Sequence, residues 1–329
     1  MAADPKQTHV ATQWKHDSRF ICCRFDPQGR YVFAGAEDYA IHRFEVDTGI
    51  KVTLPEHDCW VRAFAFTPDG ETMISAGSDG QLVWWPVAEA QPKPQRTVAA
   101  HDGWIRALAV SPDGKILASG GNDNRLKLWN IADGTLIHES PPHDSNVYST
   151  FFHPGGEFVL SGTLLGAVKQ WEVGTGKLVR EFDAKTLHTY NGGQAVDYGG
   201  IRSMALSPDG QYFACGGLHK ASNPLGAVNE PLVELFEWES QKKKVSQISD
   251  GKKGIIWRVV YHPDAFLIGG CGGSGGGLLF FWKPDQDKPF HTVKLPDTVR
   301  DMDLHPDGLR IATAHYDRHI RISSMTPKA

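Results

Sequence analysis

Three His-Asp dipeptides, His57-Asp58, His101-Asp102 and His143-Asp144, have the residue types of a metal-dependent hydrolase. They recur at near-constant spacing, which marks a scaffold position, whereas chemistry needs groups that converge on one site. The glycine run around Ser274 could cradle a phosphate, but that use requires Gly-x-x-x-x-Gly-Lys-Ser/Thr between a strand and a helix. Here a strand-like stretch, Leu278 to Trp282, follows and no lysine is placed. His188, Tyr190, Asp197, Tyr198, His219 and Glu230 lie in two long connections, 188–200 and 218–232, where a His and an acid on facing loops could do general acid–base work. A different chemistry is offered by Arg62, Arg106, Arg202 and Arg300 with Trp60, Trp104, Tyr148 and Trp257. Arg, Trp and Tyr dominate binding hot spots, and arginine presents a bidentate fork to carboxylate or phosphate.

The elements that must position these residues are short strands. Within His101–Asn130, apolar runs at Ile105–Val110, Ile116–Ser119 and Leu126–Trp129 are broken by Pro112-Asp113-Gly114 and Asn122-Asp123-Asn124. Proline presets φ for a turn, and glycine and asparagine accept the left-handed positions that re-enter a strand. Such a three-strand meander is too small to bury its own faces. Its neighbours are copies: a proline closing the first strand recurs at Pro27, Pro68, Pro112, Pro154, Pro208, Pro263 and Pro306. Phe44, Trp85, Trp129, Trp171 and Ser323 each lie 17 residues beyond that proline, while Trp238 and Trp282 lie 30 and 19 beyond theirs, so those units carry insertions. A period of 40–45 residues with an aromatic closing the third strand is that of a β-propeller blade.

The chain resembles the WD-repeat (WD40) family over nearly its full length. In that family a His, a Ser or Thr, an Asp and a Trp within a blade bond to one another. Two units match in full: His57, Ser75, Asp79 and Trp85, and His101, Ser119, Asp123 and Trp129. The first unit has His16 and Asp38 but Ala34 and Phe44; the fourth has His143, Ser161 and Trp171 but Leu165 in place of Asp. The seventh keeps Thr313 and Asp317, with Asp297 expected in place of His and Ser323 in place of Trp. The Trp-Asp dipeptide itself is absent; Trp129-Asn130 and Trp171-Glu172 stand there. The resemblance implies an all-β, seven-bladed propeller of four-stranded blades. It also implies that the positions six before each marker proline (Ile21, Arg62, Arg106, Tyr148, Arg202, Trp257 and Arg300) line the top mouth of the central channel, bordered by Trp60 and Trp104.

One domain over 1–329 is expected, with inner strands starting near 19, 60, 104, 146, 200, 255 and 298. Fourth strands follow six units, and the seventh lacks one. The segment 8–15 is expected to supply it, Val10–Trp14 pairing near Ile320–Ser323 and so removing an open edge. Connections 188–200 and 218–231 read as long loops, with a mobile glycine loop at 269–277. Lys242–Lys244, Lys252 and Lys253 read as a solvated edge. With 34 basic against 38 acidic residues and a net charge near −4, a general nucleic-acid binder is disfavoured. Five cysteines do not form a disulfide framework, and no apolar run is long enough for a membrane span. These features predict a cytoplasmic, non-enzymatic scaffold, monomeric by itself, with no cofactor and no metal. Its expected partner is an acidic or phosphorylated protein segment rather than nucleic acid or membrane. A propeller enzyme using the 188–232 connections, and a structural subunit of a larger assembly, are the alternatives.

Overall fold

The computed structural model describes residues 2–223, 228–249 and 251–328. Contacts divide the chain into two compact units, one of residues 18–163 and 168–181, the other of residues 1–17, 164–167 and 182–329. Strands form seven four-stranded antiparallel sheets, the blades of a β-propeller, and the described residues contain no α-helix. Blade one runs Phe20–Phe25, Tyr31–Ala36, Ile41–Glu45 and Lys51–Leu54; blade two runs Val61–Phe66, Thr72–Gly77, Gln81–Pro86 and Arg96–Ala99. Blade three comprises Ile105–Val110, Ile116–Gly121, Leu126–Asn130 and Leu136–Glu139, and blade four Val147–Phe152, Phe158–Thr163, Ala167–Glu172 and Leu178–Asp183. Blade five is Ser203–Leu206, Tyr212–Asn223, Val228–Glu237 and Lys243–Ile248, and blade six Ile255–Tyr261, Leu267–Gly273, Gly276–Trp282 and His291–Leu295. The turns follow the local chemistry: Gly114 sits at φ 74° and Asn124 at φ 65°, the left-handed region those residue types tolerate.

Blade seven has Val299–Leu304, Arg310–His315 and His319–Ser324 from the end of the chain and His9–Lys15 from its beginning. The register is Val10↔Ser323, Thr12↔Ile322, Gln13↔Arg321 and Trp14↔Ile320, with a bulge between Val10 and Thr12. The N-terminal segment therefore supplies the missing fourth strand.

In each unit the core lies between successive blades. In one, Phe33, Phe64, Met73 and Trp85 fill the space between blades one and two, and Trp84, Leu117 and Trp129 that between two and three. In the other, Val233, Leu235, Ile256, Phe280 and Trp282 join blades five and six, and Phe281, Val299, Met302 and Ile311 join six and seven. A blade buries both its faces only when stacked on neighbours, so the apolar alternation on each strand is spent twice.

The three insertions differ from the loops expected. Residues 188–200 hold a two-stranded hairpin, His188–Asn191 with Val196–Gly199. Residues 218–231 mostly prolong the second and third strands of blade five, as far as Asn223 and from Val228; 224–227 lie outside the described residues. The glycine run is strand, not mobile loop: Leu267–Gly273 pairs with Gly276–Trp282 down to Gly273↔Gly276. Glycine is required there by close approach, since a Cβ on Gly272 would lie 1.8 Å from the Val299 carbonyl oxygen. The lysine-rich stretch carries ion pairs, Lys243 with Glu234 at 3.2 Å and Lys253 with Glu230 at 3.0 Å.

Candidate functional site

The polar framework inside the blades comes first, because it fixes the loops that carry the site. In blade three, Trp129 Nε1–H donates to Ser119 Oγ at 2.8 Å, Ser119 lies 2.7 Å from His101 Nε2, and His101 Nδ1 lies 2.9 Å from the Asp123 carboxylate. These distances form one chain: indole N–H to hydroxyl, hydroxyl to imidazole, imidazole N–H to carboxylate. Blade two repeats it, with Trp85 to Ser75 at 2.9 Å, Ser75 to His57 at 2.8 Å and His57 to Asp79 at 2.7 Å. Burial pushes the Asp79 and Asp123 carboxyls up, but the bond from the His and the neighbouring backbone N–H groups outweigh it and hold both below the ordinary value. Ser119→Ala leaves a buried indole N–H and an imidazole nitrogen unpaired. It is expected to cost about 2 kcal/mol, read as a lower urea midpoint at unchanged slope.

The incomplete units solve the same problem differently. In blade four, His143 keeps Ser161 at 2.8 Å and Trp171 keeps Ser161 at 2.9 Å, while His143 Nδ1 donates to the Asn124 carbonyl at 2.9 Å where the Asp is missing. Burial lowers the His143 pKa to about 4. In blade one, Asp38 is met by His42 at 3.1 Å. Blade seven corrects the expected roles of Asp297 and Ser323. His315 occupies the imidazole position, with Thr313 Oγ1 2.7 Å from its Nε2 and its Nδ1 donating to the Asp297 backbone carbonyl at 2.8 Å. Asp297 Oδ2 and Ser323 Oγ are buried with no hydrogen-bond partner among the described residues. Asp317 takes Arg321, with Nη1 to Oδ1 at 2.9 Å. A histidine two residues after Thr313 lies outside the repeat offsets, so spacing gave no signal for it.

Above this framework, six blades slip register by one residue between their first and second strands. The slip falls at Ile21, Arg62, Arg106, Tyr148, Trp257 and Arg300. A bulge leaves its extra residue out of the ladder and re-aims the side chain, which is why these positions stand apart from the strand alternation. In blade five, Arg202 immediately precedes the first strand and donates its N–H to the Gly216 carbonyl at 2.8 Å.

In the unit of residues 18–163 and 168–181, the bulge residues and the loop aromatics form a continuous stack. Arg62 lies 5.4 Å from the Trp60 ring and 4.3 Å from the Trp104 ring; Arg106 lies 5.1 Å from Trp104 and 4.2 Å from Tyr148. The order is Trp60, Arg62, Trp104, Arg106, Tyr148, with each guanidinium between two aromatic faces. Two side chains that sequence reasoning did not single out lock it: Arg62 Nε–H donates to Ser78 Oγ and Arg106 Nε–H to Asn122 Oδ1, both at 2.6 Å. Ser78 and Asn122 lie 16 residues after their arginines in both blades, a repeat offset that would have identified them. Desolvation lowers the Arg106 pKa from the ordinary arginine value, opposed by the Tyr148 hydroxyl, and among the described residues Arg106 has no ion pair. In the other unit, Arg202 lies 5.3 Å from Trp257 and Arg300 lies 5.9 Å from Tyr316. The Trp257 indole nitrogen is buried with no partner among the described residues. Asp301 is bound by Arg258 at 3.1 Å.

The six residues of the 188–232 connections do not converge. His188 pairs with Asp197 at 2.7 Å within the hairpin, Tyr198 donates to Gln194, and Tyr190 is exposed. His219 lies 3.3 Å from Glu230, which also takes Lys220 and Lys253. Among the described residues, no hydrogen bond or ion pair joins any of these six across the two segments.

Seven four-stranded blades, two of them braced by complete His–Ser–Asp–Trp networks, define a WD40 propeller. The family model described as WD domain, G-beta repeat, matches residues 49–86, 92–130, 134–172, 184–220 and 287–322, more than half the chain, and the chain belongs to that family. Among curated proteins it is 27% identical over 99 residues to nuclear distribution protein PAC1 of Arthroderma otae, which takes in 27% of this chain and 22% of that protein. It is 35% identical over 66 residues to WD repeat, SAM and U-box domain-containing protein 1 of Danio rerio, covering 20% of this chain and 14% of that protein. The matched stretch is less than a quarter of either relative.

Proposed function

We propose that this protein is a non-enzymatic interaction platform that binds an acidic protein segment on the unit of residues 18–163 and 168–181, with Arg62 and Arg106 supplying charge. Trp60, Trp104 and Tyr148 supply the area buried. The observation that carries this reading is Arg106, a half-buried guanidinium held between Trp104 and Tyr148 with no carboxylate of the described residues paired to it. A desolvated cation without an acid is costly in the free protein, and a partner's carboxylate would relieve that cost. The near balance of charges over the whole chain favours a local, shaped anion site over general attraction to nucleic acid. Family membership supports a scaffold role, and the separate His–acid pairs of the 188–232 connections give no support to the enzymatic alternative.

Arg106→Gln tests the reading because glutamine keeps a polar stem beside Asn122 and removes the charge. Binding of a fluorescein-labelled glutamate-rich peptide, followed by anisotropy, is expected to weaken about tenfold or more. The thermal midpoint is expected to drop by only a few degrees. Unchanged binding with a collapsed midpoint would make Arg106 a scaffold residue.

A further inference from the structure

The hairpin of residues 188–199 carries a turn whose chemistry neither the blade framework nor the anion site uses. Of the seven asparagines in the chain, Asn191 alone is followed by glycine. It ends the first strand of the hairpin, opposite Val196, and Gly192 and Gly193 beyond it are exposed. Asn191 Oδ1 accepts the backbone N–H of Gly193 at 3.1 Å and that of Gln194 at 3.2 Å. The Gly192 N–H has no hydrogen-bond partner among the described residues. Nor is the chain crowded there, since a Cβ on Gly192 would meet nothing nearer than Tyr190 Cε1 at 3.8 Å.

We infer that Asn191 is a site of spontaneous covalent modification, losing its side-chain amide through a cyclic imide formed with Gly192. The Gly192 nitrogen is already bonded to the Asn191 carbonyl carbon, so closing a five-membered ring onto Cγ brings two linked groups together at little entropic cost. Glycine leaves that nitrogen unshielded and the backbone free to turn. A solvent base takes the proton from the Gly192 nitrogen, which bonds to Asn191 Cγ. The Cγ–Nδ2 bond breaks, and the amide nitrogen takes a proton from water and leaves as ammonia. Negative charge builds on Oδ1 during this addition, and the N–H groups of Gly193 and Gln194 already point at it, as the donors of an oxyanion hole do. Water then opens the imide. Attack at Cγ leaves an ordinary aspartate, whereas attack at the backbone carbonyl leaves an isoaspartate, with the chain running through Cβ and Cγ. Either product puts a carboxylate where a neutral amide stood. The change falls beside Tyr190 and Val196, which are 59% and 41% exposed, so it brings charge to an apolar surface.

The test follows the tryptic peptide Thr186–Arg202 by mass spectrometry after the full chain is incubated in water enriched in heavy oxygen, beside a synthetic peptide of the same sequence. Conversion is expected to speed up as pH rises, to incorporate a single heavy oxygen and to give aspartyl and isoaspartyl products of equal mass. In the folded chain it is expected to run about fivefold faster than in the free peptide, where no fold holds the two donors on Oδ1. Gly192→Ala should slow it about tenfold or more by shielding the nitrogen. That variant fits the turn, because the position has neither a left-handed φ nor a close neighbour. Comparison of the unaltered chain with the free peptide decides the question without any variant. Conversion no faster in the folded chain than in the peptide overturns the proposal, as does no conversion at all. Aspartate without the isoaspartyl isomer would mean direct hydrolysis and would overturn the imide route.

Discussion

Gly272→Ala is expected to destabilise the protein by about 3 kcal/mol or more, among the largest effects of any single methyl group in the chain. A Cβ at that position meets the Val299 oxygen at 1.8 Å and the Val299 carbonyl carbon and nitrogen at 2.7 Å, all backbone. Backbone cannot rotate away as a side-chain tip can, so the second strand of blade six must move off the first strand of blade seven. That movement would strip contacts from Ile268, Val299 and Met302, which pack in one buried cluster. Gly277 sits in the same sheet, with its hypothetical Cβ 2.0 Å from the Asp297 oxygen, so the strand has no slack on that side. Gly174→Ala is the control, because nothing lies within 4 Å of its Cβ and its φ is not left-handed. Urea unfolding followed by tryptophan fluorescence should show a markedly lower midpoint for Gly272→Ala and little change for Gly174→Ala. Superimposable curves for Gly272→Ala and the parent would refute the close approach.

Stability is expected to decline between pH 6.5 and pH 4, with buried histidines and not carboxylates responsible. Desolvation is the main cause that lowers His143 and His315 from the ordinary 6.5 to about 4; Lys169 adds to it at His143 and Arg321 at His315. Both rings are buried and accept a hydroxyl contact while donating to a backbone carbonyl, an arrangement that suits the neutral ring. In the unfolded chain each takes a proton near pH 6.5, while the folded ring stays neutral until about pH 4. Unfolding therefore binds protons throughout that window, and stability falls as pH falls. The stabilisation is complete above pH 6.5 and lost by pH 4, amounting to about 3 kcal/mol per histidine. Asp79, Asp123 and Asp317, all held below their ordinary value, contribute in a lower window, as pH drops beneath 3.8. Denaturation midpoints at pH 7.0, 5.5 and 4.5 separate the two effects. His143→Gln should be less stable at neutral pH yet show a shallower decline, and an unchanged decline would assign the titration elsewhere.

How much of this was legible in the sequence depends on whether a residue's role is set by its own repeat. The marker prolines, the His–Ser–Asp–Trp sets of blades two and three and the strand from residues 9–15 follow from a fixed offset or a strand count, and spacing exposes both. Arg62, Arg106 and Tyr148 were visible as a repeated position, but the bulge that re-aims them was not. A register slip is decided by two strands together. His315 escaped notice because it reaches Thr313 and the Asp297 carbonyl from a position that no other blade uses. The glycine run read as a loop because strand preference discounts glycine. Its reason for being glycine, the Val299 and Asp297 carbonyls, lies twenty or more residues along the chain. Ser78 and Asn122, the locks on the two arginines, look like ordinary turn residues until the stack is seen.

The pairing of His9–Lys15 with His319–Ser324 bears on synthesis as well as on the finished molecule. Arg321 Nε donates to Gln13 Oε1 across 308 residues of chain, so this strand is made long before the sheet it belongs to can be finished. At about 5–20 residues per second, a ribosome takes roughly fifteen seconds to a minute to deliver that partner. Throughout that interval the nascent N-terminal strand carries open backbone donors and acceptors beside Val10 and Trp14, an edge that invites pairing with another chain. Blades one to four, whose four strands each come from consecutive sequence, can meanwhile form as they emerge. The strand that completes the seventh sheet is thus also the one longest in need of a chaperone.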